Sequence, residues 1–317
     1  MTHGIPNRQV ICETLMELAA TDRDIMVLAS DSRGSAAMAP FARAYPDRFV
    51  ETGIAEQNIV GIAAGLAHSG KKPFVTSPAC FLSMRSIEQI KVDVAYSNTN
   101  VKLIGISGGI SYGALGMSHH SLQDIAVMRA IPNLSVILPA DRHETKRMTK
   151  ALVNHTGGVY VRIGRNPVAD VYESESDGDF VIGEAVTLRD GGDLTIIAAG
   201  ETVRVALDAA ELLRRRGISC RVLNMHTIKP LDEEAVLRAA RETGAVITVE
   251  EHSIHGGLGA AVAEVVVQHF PVPMRIVGIP DEPAVAGKTA EVFRHYGITA
   301  ENLAGMAERL IRSGNGA

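Results

Sequence analysis

Short aliphatic and β-branched runs alternate with amphipathic runs along the whole chain, and no other feature restricts the fold as strongly. IMVLAS (25–30), KKPFVTS (71–77), NVKLIGIS (100–107), SVILPA (135–140) and GVYVRIG (158–164) read as strands. Between them lie runs with helical spacing: RQVICETLMELAA, the segment opening at Glu56, MRSIEQIKVDVAYS, LQDIAVMRAI and RHETKRMTKALVNH. Strands that alternate with helices predict βαβ units, because parallel strands need a crossover connection. The polar, acidic NPVADVYESESDGDF (166–180) interrupts the pattern and reads as a linker. Alternation resumes with DLTIIAAG, TVRVALDAAELLRRRG, SCRVLNMH, DEEAVLRAARETG, AVITVEEH, GLGAAVAEVVVQHF and MRIVGIP. DGGD (190–193) reads as a hairpin turn. The expectation is two α/β domains with mostly parallel sheets, at 1–165 and 183–317, joined by a linker over 166–182. The length of 317 residues agrees, at roughly 100–200 residues per domain.

Composition narrows the function. A net charge of −5 gives no electrostatic reason to expect nucleic acid. No apolar run approaches the ~20 residues of a membrane helix, and the N-terminal MTHGIPNRQV lacks the apolar centre of a signal peptide. Cys12, Cys80 and Cys220 are scattered and odd in number, which suits neither a disulfide framework nor zinc, so a reducing cytoplasm is expected. Aromatic residues make up only 4% and Trp is absent. The dominance of Gly, Ala, Val and Ile fits strands buried on both faces.

Against that background Glu56 stands out. In ETGIAEQNIVGIAAGLAHSG (51–70) it heads a small, apolar run that must pack on more than one face. A buried carboxylate there is costly unless it is paired or protonated. The glycine stretch SGGISYGALG (107–116) follows a strand and could approach a ligand or be a plain tight loop. The next residues, MSHHSLQD, carry His119 and His120 at an expected helix start, where neighbours point in different directions and at most one faces a given site. Strand ends are where α/β folds bind ligands. HSIHGGLG (252–259) is a second histidine–glycine cluster, better read as a turn allowing close helix packing than as a site. Zinc lacks a third and fourth ligand there, and no GxSxG elbow supports Ser/His/Asp hydrolysis.

Six segments, in order, resemble the C-terminal half of transketolase in its split bacterial form, over essentially the whole length. RQVICETLMELA is similar to the first helix of the pyrimidine-binding domain, and GIAEQN to the family's Gly-Ile-x-Glu-His/Gln. SPACFLSMRSIEQIKVDVAYSNTNVKLIG resembles the Thr-Phe-Leu segment and following helix. HHSLQDIAVMRAIPNLSVILPAD resembles the stretch after the catalytic histidine, and NMHTIKPLD and TVEEHSIHGGLG resemble the C-terminal domain.

The resemblance implies a role for each matched residue. Glu56 would contact N1′ of the thiamine diphosphate aminopyrimidine, which accounts for an acid in an apolar run. Phe81 would stack on that ring, with Met84 and Ile87 completing the pocket at helical spacing. His119 would handle substrate hydroxyl protons. Arg8, Ser35 and Arg162 fall where the family binds the sugar phosphate, and Asp31 at a dimer-contact acid.

Two departures bear on substrate. The family's Gly-Glu-Asp-Gly is GALG here, so Leu115 replaces the aspartate that reads a substrate hydroxyl, and Ser107 replaces a histidine of the phosphate channel. Losing a hydroxyl-reading partner changes preference strongly. The chain is similar in this respect to transketolases of branched-sugar catabolism, such as apulose 4-phosphate transketolase. The family's Mg²⁺-diphosphate motif GDG is also missing; the nearest match, DGD at 177–179, lies in the linker. The resemblance therefore implies a separate GDG-containing subunit that supplies the diphosphate and Mg²⁺ ligands, in an α₂β₂ assembly. The expected activity is transfer of a two-carbon ketol unit from a phosphorylated ketose, including branched ones, to an aldose phosphate. The rivals are the β subunit of a 2-oxo acid dehydrogenase E1, a 1-deoxyxylulose 5-phosphate synthase-like enzyme, and a non-enzymatic scaffold of the same fold.

Overall fold

The computed structural model describes residues 4–314. Its first sheet contains β1 (Ile25–Ala29), β2 (Phe49–Glu51), β3 (Lys72–Pro78), β4 (Lys102–Ile106), β5 (Leu134–Ile137) and β6 (Gly158–Arg162). The second contains β7 (Val186–Arg189), β8 (Leu194–Ala198), β9 (Cys220–Asn224), β11 (Val246–Ser253) and β12 (Met274–Ile279), while β10 (Thr227–Lys229) crosses back to the first. The orders are β10-β5-β6-β4-β3-β1-β2 and β12-β11-β8-β9-β7. Only the edge strands β10 and β7 run antiparallel to their neighbours. Every residue of β1, β4, β6 and β8 is buried, as expected of parallel strands with helices on both faces.

Local signals set several boundaries. Asp141 caps the helix Arg142–Asn154 by accepting from Glu144 N at 2.9 Å, and Asp232 caps Glu233–Thr243 by accepting from Ala235 N at 2.9 Å. Gly244 then ends that helix in the left-handed conformation at φ +67°.

Three sequence expectations need correction. DGGD is not a hairpin turn: β7 and β8 are separated by β9, which pairs with both. MRSIEQIKVDVAYS is not one regular helix. A helix Ala79–Arg85 ends at Ser86, and the chain continues through Ile87–Gln89 into a wider π-helical stretch, Ile90–Tyr96. His119 and His120 do not start a helix. They follow a 3₁₀ turn, Gly113–Ser118, and the next helix begins at Asp124.

The segment after β6 is not a free tether. Asp141 Oδ2 accepts from the backbone N–H of Val171 (2.7 Å) and Tyr172 (2.9 Å). Buried Glu144 accepts from Tyr172 Oη–H at 3.0 Å and from Asn224 Nδ2 of β9 at 2.8 Å. The apolar core is likewise continuous: Leu28, Ile125 and Leu138 share a cluster with Ile197, Leu223 and Leu258. Burying such side chains is worth about 1.5–3 kcal/mol each, so packing, not the connecting peptide, fixes the two sheets against each other. No helix among the described residues is long and apolar enough to cross a membrane.

Candidate active site

Glu56 is the first residue of the helix Glu56–His68, and only 4% of it is exposed. The run behind it, Ile59, Val60, Ala63 and Ala64, is buried, and this holds the helix start against the sheet. Its two carboxylate oxygens both accept from Arg85 Nη1 at 3.0 Å. That guanidinium lies 4.1 Å above the Phe81 ring. An open groove of about 550 Å³ borders the pair, lined by Ile54, Ala55, Glu56, Gln57, Asn58 and Arg85.

From Phe81 the site continues as a chain of ring and cation contacts. His119 stands 5.3 Å from Phe81 and 5.3 Å from Tyr112, edge to face with each. Its Nδ1 is 3.0 Å from Ser118 Oγ. Arg165 sits over Tyr112 at 5.1 Å. Arg8 is near enough to Arg165 that, after burial, this second cation is the next cause lowering its pKa. Arg8 Nη1 donates to Ser35 O at 2.6 Å, while Arg8 Nε and Arg165 Nη1 are buried with no partner. Two guanidiniums near each other with unused donors have the chemistry to receive a dianion.

Thus a chain of pairwise contacts links Glu56, Phe81, His119, Arg8 and Ser35. It adds Arg85, Tyr112 and Arg165, which sequence reasoning missed. Arg85 was available as the one cation in CFLSMRSI, four residues after Phe81 and so on the same helix face. Arg165 follows Arg162 by an odd spacing, which in extended backbone places them on opposite faces.

Arg162 does not join the site, contrary to its expected place at the substrate phosphate. It is 5% exposed, with Nε 3.7 Å from Asp124 Oδ2 and Nη2 3.4 Å from Glu251 Oε2. Nη2 also donates to the Glu251 backbone O at 2.5 Å. A guanidinium satisfied by buried carboxylates locks β6 to β11 and has no reason to leave for solvent. Met84 is 55% exposed in the lone chain, on the same helix as Phe81, and Ile87, beyond the break at Ser86, packs on the core.

Ser107 follows β4 with φ +55°, its Oγ buried and without a partner. A non-glycine residue in that region is strained, a feature that concentrates at functional sites. Leu115 is 53% exposed on the 3₁₀ turn before His119. The second domain braces this turn. Gly287 N donates to Gly113 O at 3.4 Å, and a Cβ on Gly113 (φ +41°) would collide with Gly287 O. HSIHGGLG serves close packing, as read from sequence: side chains at Gly257 and Gly259 would strike Glu250 and Ile276. Asp31 is exposed at φ +51°, its N–H donating to Glu51 Oε1 at 2.7 Å.

The two histidines diverge even without a helix. His119 is half-buried between two rings, whereas His120 is 3% exposed with Nε2 3.0 Å from Gly113 O. Burial lowers the His120 pKa, keeping it neutral. His119→Ala is expected to lower turnover by roughly 10²-fold or more. His120→Ala should act mainly on stability. Steady-state rates of both variants beside thermal unfolding check this; equal rate losses in two well-folded proteins would contradict the assignment.

Residues 3–169 match the family model "Transketolase, pyrimidine binding domain", and residues 183–303 match "Transketolase, C-terminal domain". The chain is 54% identical to a subunit of the apulose-4-phosphate transketolase of Phocaeicola vulgatus, over 96% of this chain and 97% of that one. It is 40% identical to the 6-deoxy-6-sulfo-D-fructose transketolase subunit of a Clostridium species, over 97% and 95% respectively. Among solved structures, a split-gene transketolase described as an inactive β₄ tetramer aligns with TM-score 0.90 at 38% identity, covering 98% of this chain and 99% of that one.

Proposed function

The chain belongs to the transketolase family as a subunit of a split enzyme, and from that premise we propose how its site divides the work. The observation that carries the reading is Glu56, a carboxylate 4% exposed at a helix start, linked through the Arg85 guanidinium to the face of Phe81. A flat aminopyrimidine needs an edge partner for its ring nitrogen and an aromatic surface for its face. The residues fit that half of thiamine diphosphate. A partner subunit carrying GDG, a motif absent from these 317 residues, supplies the diphosphate and Mg²⁺ ligands. Ile54, Met84, Leu115 and Met117 are 45–72% exposed on segments around the site, an apolar rim suited to such a partner in an α₂β₂ heterotetramer.

Thiamine diphosphate, when bound, supplies the carbanion chemistry of ketol transfer. Glu56 holds a proton at the ring nitrogen, and Phe81 fixes the plane of the ring. His119 moves a proton on a substrate hydroxyl. Arg8, steadied by the Ser35 carbonyl, and Arg165 hold the sugar phosphate and set the distance to the reacting carbon. Ser107 and Leu115 shape the channel between. Docking of the partner over the apolar rim excludes water. The natural units are 1–165 and 183–317, with 166–182 between them, and the three buried free cysteines suit a reducing cytoplasm.

Leu115 decides the donor. Where the family has an acid that reads a hydroxyl, an apolar side chain leaves that hydroxyl unpaired, at a cost of roughly 1–3 kcal/mol, and accepts a carbon branch. With the partner present, the wild type is expected to prefer a branched ketose phosphate such as apulose 4-phosphate over xylulose 5-phosphate. Leu115→Asp should move kcat/KM toward xylulose 5-phosphate by roughly tenfold or more. A wild type that already prefers xylulose 5-phosphate, with no change in Leu115→Asp, would refute this donor reading.

A further inference from the structure

Arg85 makes both contacts that define the seat between Glu56 and Phe81. Its Nη1 donates to the two Glu56 oxygens at 3.0 Å each, and its guanidinium carbon lies over the Phe81 ring, 4.1 Å from the centroid. A guanidinium is flat, delocalised and edged with N–H donors. It therefore offers the same two features as a protonated aminopyrimidine: an N–H toward the carboxylate and a flat face toward the ring. Both cannot occupy the seat together.

The geometry also makes Arg85 easy to move. One nitrogen serves both oxygens, whereas a fork would place two parallel N–H donors on them and hold more strongly. The Arg85 side chain is 46% exposed and borders the open groove, so its charge can swing into water without a desolvation penalty. It sits on the same short helix as Phe81, Ala79–Arg85, which ends at the next residue. Glu56, by contrast, is 4% exposed and cannot follow it out.

We propose that Arg85 is a displaceable occupant of the ring seat, closing Glu56 and Phe81 in the uncombined chain and leaving for solvent when a flat heteroaromatic ring enters. This rests on the reading of Glu56 and Phe81 as the aminopyrimidine seat. Arg85 keeps the buried carboxylate paired until the ring takes over that partnership. Its removal should therefore strengthen ring binding, the opposite of what truncating a contact residue does.

The test uses the full chain without a partner. 4-Amino-5-hydroxymethyl-2-methylpyrimidine is titrated by calorimetry into the wild type, Arg85→Met, and each of these combined with Phe81→Ala. The expected result is about tenfold tighter binding to Arg85→Met, the loss of one half-buried ion pair and one cation–π contact as competitors. Phe81→Ala should abolish that gain. Arg85→Gln, which keeps a polar end, serves the same comparison should Arg85→Met not fold. Equal or weaker binding to the Arg85 variants, with Phe81→Ala weakening all of them, would overturn the placeholder role while leaving the seat intact. Binding unaffected by Phe81→Ala in every background would overturn the seat and the placeholder together.

Discussion

Glu56→Gln is expected to lower two-carbon transfer by the assembled enzyme roughly 10²–10⁴-fold, the range of a lost acid–base group, while the fold persists. The substitution is nearly isosteric, and Glu56 lies at a helix start where an amide can still accept from Arg85. What the amide cannot do is hold a titrating proton against a ring nitrogen. The effect should therefore fall on kcat, with a modest change in the KM for the sugar. The direct readout is hydrogen–deuterium exchange at C2 of bound thiamine diphosphate, followed by proton NMR. Near wild-type exchange in Glu56→Gln would remove Glu56 from its assigned role. Glu56→Asp is a useful companion. It keeps the acid but draws it back by one methylene, so it should recover part of the rate if proton placement is what matters.

The site was legible where chemistry and periodicity pointed the same way. Glu56 violates the apolar pattern of its own helix, so a buried acid there calls for a partner, which Arg85 supplies in this chain. Phe81 and His119 followed from the resemblance, and their rings do meet. Arg162 and Arg165 show what a one-dimensional reading loses. Both are arginines beside the same strand end, and only packing tells which one is consumed by Asp124 and Glu251 and which one faces Tyr112. Arg85 was passed over because a surface arginine on a helix is ordinary; its meaning lies in its distance to a carboxylate 29 residues earlier.

The fold was more legible than the site. Most of the parallel strands carry the signal of two-sided burial, so β1, β3, β4, β5, β6, β8, β9, β11 and β12 stand where the aliphatic runs predict them. The edge strands β2, β7 and β10 did not, being three or four residues long and lacking continuous aliphatic character. β10 is the instructive case. It belongs to the second half of the chain but pairs with β5, and no local pattern can announce a pairing with a strand about ninety residues earlier. The helix break at Ser86 was hidden because MRSIEQIKVDVAYS keeps helical spacing through a change of helix type.

A site divided between two chains makes its sharpest prediction for reconstitution. The chain presents a carboxylate, a ring face, a histidine and a guanidinium pair, but it contains no GDG for the Mg²⁺-bound diphosphate. Without that anchor the cofactor is held by one end only, and reactants are not placed within reaction distance, an effect worth many orders of magnitude in rate. The purified chain alone, with thiamine diphosphate, Mg²⁺, a ketose phosphate and an aldose phosphate, is therefore expected to show no ketol transfer. Adding the GDG-containing subunit should restore it, with activity saturating at one copy of each chain, and omission of thiamine diphosphate should abolish it again. Measurable turnover by the purified chain on its own, or saturation at any other ratio, would contradict the divided site.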